Sequence, residues 1–205
     1  MSGEHAGPRD ETGTLPADSD NQTADNRPYP TRWERHIVLE NGWRIFARPI
    51  RPNDEPLVQH LLQNVSKDDL RLRFFDSIRE FTHPFLASLT QLDYARAMAF
   101  IAFDEASGET LGMVRVYSDS NQEAGEYAIL LKSGIHGRGL GWMLMQMIIE
   151  YSRSEGLNRV FGQVLQDNSA MLDMCRELGF EIKSDPEDSG VCDVTLVLGP
   201  SAAKG

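Results

Sequence analysis

Residues 133–144 read SGIHGRGLGWML: four glycines, His136 and Arg138 stand directly ahead of an apolar segment. Glycine costs a helix roughly 1 kcal/mol relative to alanine, so this density calls for another purpose. A glycine-rich turn opening into a helix leaves amide N–H groups unpaired at the positive end of the helix dipole. That arrangement binds anions. Gly137, Gly139 and Gly141 allow close backbone approach, and Arg138 adds a cation. The spacing is not that of a P-loop, which ends in Gly-Lys-Ser/Thr. A GxGxxG reading from Gly139 fails at Leu144.

A second candidate is Glu126, a carboxylate inside the apolar run GEYAILL at 125–131. Carboxylates in such settings can act as general bases. Other chemistries find little support. Cys175 and Cys192 lack CxxC spacing, and His36, His60 and His83 lack ligand spacing, so no metal site is expected. No Ser-His-Asp pattern suggests a covalent intermediate.

The elements that must position these groups follow from periodicity. RHIVLENGWRIFARPI reads as two strands around the hairpin dipeptide Asn41-Gly42. RPNDEPLVQHLLQNV reads as a helix capped by Asn53 or Asp54, with Pro56 in its first turn. Ser66 caps a second helix, KDDLRLRFF, with Asp69 three residues on. Arg71 and Arg73 of that helix either face a ligand or are solvated. Apolar runs at 97–103, 110–117 and 125–131 predict three strands. An amphipathic helix carrying Leu140, Leu144, Met147, Ile148 and Tyr151 follows the glycine loop. NRVFGQVL is then a strand and NSAMLDMCREL a helix stopped at Gly179. FEI and VCDVTLVL end the chain as strands. This order predicts an α/β domain, antiparallel early and with a crossover helix later.

The chain has 205 residues, 40% hydrophobic and 25% charged, which suits one soluble domain. Residues 1–27 hold six acidic residues against Arg9 and Arg27, and beyond Met1 one large apolar residue, Leu15. That composition predicts a disordered acidic segment at 1–27 ahead of a folded domain at 28–205. No apolar run approaches the ~20 residues that span a bilayer, and no signal pattern opens the chain. A cytoplasmic protein without membrane contact is expected. The net charge of −11 argues against nucleic-acid binding and favours basic partners.

HGRGLG resembles the Q/R-x-x-G-x-G/A loop of the GNAT superfamily of N-acetyltransferases, and NSAMLDMCRELGFEI resembles its N-x-x-A…LGF segment. RPIRPNDEPLVQHLLQNVSKDDLRLRFF, LTQLDYARAMAFIA and GETLGMVRV further resemble the acetyltransferase domain of bacterial Pat-type protein lysine acetyltransferases. Similarity runs from about Tyr29 to Leu198. The ligase-like domain that many Pat proteins carry is not in this sequence.

The resemblance implies a mostly antiparallel GNAT-type sheet flanked by helices, with acetyl-CoA as acyl donor. Its pyrophosphate is expected on the amides of Gly137, Arg138, Gly139, Leu140, Gly141 and Trp142. Its pantetheine arm is expected along the backbone of Ile129, Leu130 and Leu131, and against Asn168. His136 departs from the commoner Gln or Arg. Pat-type relatives have a catalytic glutamate in this strand, which makes Glu126 the expected base. Alternation places Glu126 with Ala128 and Leu130 on one mostly apolar face. The position used as base on the next strand by other GNAT enzymes is Gln163, which cannot titrate. Cys175 stands where many GNAT enzymes have an acidic tyrosine, and is either a general acid or a small buried hydrophobe. The expected activity is acetylation of a lysine on a protein, an acyl-CoA synthetase for example. The alternatives are acetylation of a small amine and a non-catalytic acyl-CoA-binding module.

Overall fold

The computed structural model describes residues 27–74 and 80–199. The segment expected to be disordered lies outside them except for Arg27, whose guanidinium meets Glu155 at 2.7 Å.

The chain opens with the expected hairpin, β1 (Arg35–Val38) and β2 (Arg44–Pro49), turned at Gly42 with φ +81°. Helices α1 (Glu55–Gln63), α2 (Lys67–Phe74) and α3 (His83–Thr90) follow. Then come β3 (Ala97–Asp104), β4 (Thr110–Ser118), β5 (Ala124–Leu131), α4 (Leu140–Glu155), β6 (Arg159–Leu165), α5 (Ser169–Glu177), β7 (Glu181–Ser184) and β8 (Val191–Val197). The strands form one sheet in the order β1-β2-β3-β4-β5-β6-β8-β7.

Alternation along the central strands builds a core on each face of this sheet. Phe100, Val114, Tyr127 and Val160 face α4 and α5. Ala99, Ile101, Met113 and Leu130 face α1, α2 and α3. Helix α4 is buried on most of its circumference, and Met143, Met145 and Met147 all lie in the core.

Two details differ from the sequence reading. Helix α3 was not anticipated, although Thr82 caps it by accepting the Phe85 N–H and Pro84 sits in its first turn. Asp54 stands at the N-cap position of α1, but its carboxylate accepts no helix N–H. Its buried carboxylate instead takes a two-pronged ion pair from Arg48 at 2.7 and 2.9 Å, and accepts the Arg51 N–H at 2.7 Å.

The sheet parts in the middle. Every neighbouring pair is antiparallel except β5 and β6, which are parallel because α4 connects them as a crossover. They pair only at Ala124↔Arg159, Gly125↔Val160 and Glu126↔Phe161. From Tyr127 onwards β5 is paired with β4 alone, and from Gly162 onwards β6 is paired with β8 alone.

Candidate active site

A cleft of about 440 Å³ opens where β5 and β6 separate. Its walls are β5 from Glu126 to Leu131, the loop and first turn of α4, Gln163 and Val164 of β6, one side of α5, and Asp69, Leu72 and Arg73 of α2. An ion pair from Arg71 to Asp167 at 2.7 Å ties α2 to the loop before α5.

The glycine loop is built as an anion cradle. The first hydrogen bond of α4 runs from the Met143 N–H to the Gly139 carbonyl. Among the described residues, no acceptor meets the N–H groups of Gly137 through Trp142. Gly139 adopts φ +88°, and a Cβ added there would come no nearer than 3.9 Å to anything, at Leu39 Cδ1. Conformation, not crowding, therefore requires glycine at this turn. The β1–β2 hairpin holds the loop from outside. Arg138 stacks over Trp43 at 4.0 Å, and Asn41 Nδ2 donates to the Arg138 carbonyl at 3.4 Å.

On α5, Asn168 is the N-cap: its Oδ1 accepts the Met171 N–H at 3.2 Å. That bond fixes the side chain, and its amide NH₂ has no partner among the described residues.

Several expected residues thus meet in one cleft: Glu126, Ile129, Leu130, Leu131, Gly137, Gly139, Gly141, Trp142 and Asn168. Three side chains do not line it. Arg138 lies over Trp43, so its charge is directed outward rather than into the cradle. The Leu140 side chain is fully buried in the core, which leaves only its backbone N–H for a ligand. Cys175 is also fully buried, and burial pushes its thiol above the ordinary 9.0. Its Sγ lies 3.3 Å from the hydroxyl of Tyr127, which does line the cleft. Burial pushes Tyr127 up as well. Gly162 makes room for the tyrosine, since a Cβ there would stand 2.9 Å from its ring.

Glu126 is exposed and stands at the last β5–β6 pair. The face it shares is less apolar than alternation suggested. Ala128 faces Arg115 of β4 in register, so Arg115 is a diagonal neighbour of Glu126. Arg73 reaches the same place from the last turn of α2 and lines the wall with Phe74, Leu89, Met113 and Arg115. Burial lowers Arg73 to about 10, and the charge of Arg115 pushes the same way while Glu126 opposes both. Arg115 is also lowered by burial against the opposing charge of Glu126. The sequence reading singled out Arg73 but missed Arg115 and Tyr127. A charge within the apolar run TLGMVRVY was the available signal for Arg115.

An unpaired strand edge beside a helix-start anion cradle, with a carboxylate where the strands part, suits an extended donor carrying a pyrophosphate. Residues 66–180 match the model of the acetyltransferase (GNAT) family. The chain belongs to the GNAT acetyltransferase family. It is thus an acetyl-CoA-dependent N-acetyltransferase. It is 29% identical over 153 residues to an acetyltransferase of Pseudomonas aeruginosa, covering 74% of this chain and 82% of that protein. It is 28% identical over 144 residues to the acetyltransferase Pat of Mycolicibacterium smegmatis, covering 70% of this chain but 43% of that longer protein. Among solved structures, the GNAT domain of S. lividans PAT superposes with a TM-score of 0.76 at 24% identity, covering 83% of this chain and 99% of that one. The GNAT fold expected from the sequence is thus present, and the described residues include no helix long and apolar enough to cross a membrane.

Proposed function

We propose that this GNAT protein transfers the acetyl group of acetyl-CoA directly to the side-chain amine of a lysine on a protein, with Glu126 as general base. The observation that carries this reading is the place of Glu126. It is exposed in the cleft at the point where one edge of β5 becomes free.

The residues present fit acetyl-CoA. The unpaired N–H groups of Gly137 to Trp142 suit a pyrophosphate. The free edge at Ile129, Leu130 and Leu131 suits the amides of a pantetheine arm, which would add to the sheet as a strand does. The Asn168 NH₂ is available beside that path. When bound, acetyl-CoA supplies an acyl carbon activated as a thioester.

The chain then handles the proton. A lysine amine has a pKa near 10.4 and is protonated at neutral pH. Glu126 accepts a proton from it so that the nitrogen can attack. Backbone N–H groups on the free edge of β5 stabilise the negative charge that develops on the acyl oxygen. Cys175 packs behind Tyr127 and holds its hydroxyl, and water protonates the departing sulfur. The likeness to Pat proteins supports a protein acceptor.

Radiolabelled acetyl-CoA offered to a panel of folded proteins and a panel of small amines tests this reading. Label on protein lysines is expected, with acyl-CoA synthetases included in the panel. Label confined to small amines would overturn the choice of acceptor.

A further inference from the structure

Two guanidinium groups remain unexplained by transfer chemistry. Arg73 and Arg115 both stand on the α2 face of the parted strands, beside Glu126. Each is partly buried, and neither is ion-paired or hydrogen-bonded to any described residue, although Arg73 lies over the Phe74 ring at 4.6 Å. This is unlike Arg71, two residues away, which is paired with Asp167. It is also unlike Arg48 on β2, whose buried charge is met by Asp54.

Bringing two like charges together away from water is costly unless something compensates them. Among the described residues, the carboxylate whose charge acts on both is Glu126, which the transfer reading occupies with a proton. Those three groups together carry a surplus positive charge. Their walls are otherwise apolar: Phe74, Leu89, Met113, Ala128 and Leu130. A planar guanidinium in such a setting is matched to a carboxylate, which it can hold through two parallel hydrogen bonds.

We infer that Arg73 and Arg115 form a carboxylate-binding subsite for the acceptor, so that the amine presented to Glu126 carries a carboxylate close by. This rests on the transfer reading for the role of Glu126. The register sets the spacing. Glu126 and Arg115 are diagonal across β5 and β4, a spacing of roughly 7–8 Å and somewhat less between Cβ atoms. An acidic side chain next to the acceptor lysine satisfies this distance, and so does the α-carboxylate of a free amino acid. The surplus charge has a second effect. It disfavours the ammonium form of the incoming amine, which lightens the task of the base.

Calorimetric binding of acetylated products tests the subsite without requiring turnover. One arm compares acetyllysine peptides with Glu or Gln beside the modified residue. The other compares N-acetyl-L-glutamine with its amide. At least about tenfold tighter binding of the carboxylate form is expected in one arm, and that arm names the source. Arg115→Gln and Arg73→Gln should bring the ratio close to one, and Arg115→Lys should keep part of it. Equal binding of acid and amide in both arms overturns the inference. So does a ratio that survives both Gln variants while circular dichroism shows them folded. Turnover of the matching unacetylated amines is measured alongside. A carboxylate preference without any turnover would leave the subsite standing and refute the transfer reading instead.

Discussion

The two faces of the parted sheet offer different kinds of polar group to the proposed ligands. On the α4–α5 face the polar groups are backbone: free N–H groups at the start of α4, the open edge of β5 and one fixed asparagine amide. On the α2–α3 face they are side chains: Glu126, Arg73 and Arg115. Backbone recognition comes with the fold, because any chain that makes this strand, turn and helix presents the same N–H groups. Side-chain recognition is set residue by residue and can change without altering the fold. On the proposed assignment, the donor side follows from the fold, and the acceptor side is where substrate choice would be set.

That contrast can be broken by substitution. The largest effect is expected at the scaffold of the acceptor side. Asp54→Ala leaves Arg48 buried without its partner, which costs about 3–5 kcal/mol. Chemical denaturation would measure it, and a loss below about 1 kcal/mol would remove the ion pair from the account. Next comes the donor side. Gly139→Asp forces a side chain into φ +88° and sets a carboxylate against the pyrophosphate. Strain of about 1–3 kcal/mol and charge repulsion together predict at least a hundredfold loss of acetyl-CoA affinity by calorimetry. Unchanged affinity would place the donor elsewhere.

The smallest effect is expected in the core behind the α4–α5 face. Cys175→Ser should change kcat by less than about threefold, since the thiol lies behind Tyr127 and not in the cleft. A loss of a hundredfold or more would restore a role in proton transfer. The same pair predicts a pH effect on stability. Burial raises both Tyr127 and Cys175, so the fold favours their protonated forms. Their contribution is complete below pH 9.0, the ordinary value of the thiol, and is lost as pH rises towards the folded values. Thermal melting at rising pH should show this decline, and it should be weaker in a Cys175→Ala, Tyr127→Phe double variant.

The faces also differ in how readable they were. The glycine loop and the Asn168 helix are local patterns, and a turn, a cap and an apolar period are properties of neighbouring residues. The hairpin at Gly42 and the Ser66 cap were legible for the same reason. In the structure the Ser66 Oγ does accept the Asp69 N–H at 3.1 Å. The acceptor side is assembled from distant parts. Arg115 on β4, Arg73 on α2 and Glu126 on β5 meet only through strand register and helix packing. Asp54 was misread because its partner Arg48 lies on the neighbouring strand, and a local rule offered it a helix cap instead. Helix α3 is eight residues long, as α2 is, and its local signals were Thr82 and Pro84 rather than a period.

The central claim is that Glu126 moves the proton while the backbone of the opposite face holds the donor. Glu126→Gln keeps the shape of the side chain and removes its basicity. Steady-state kinetics on an acceptor amine that the native protein acetylates, paired with acetyl-CoA calorimetry on the same variant, separates the two tasks. The account predicts a fall in kcat of about 10²–10⁴-fold with acetyl-CoA affinity within about twofold of the native protein. A native kcat in Glu126→Gln would contradict it.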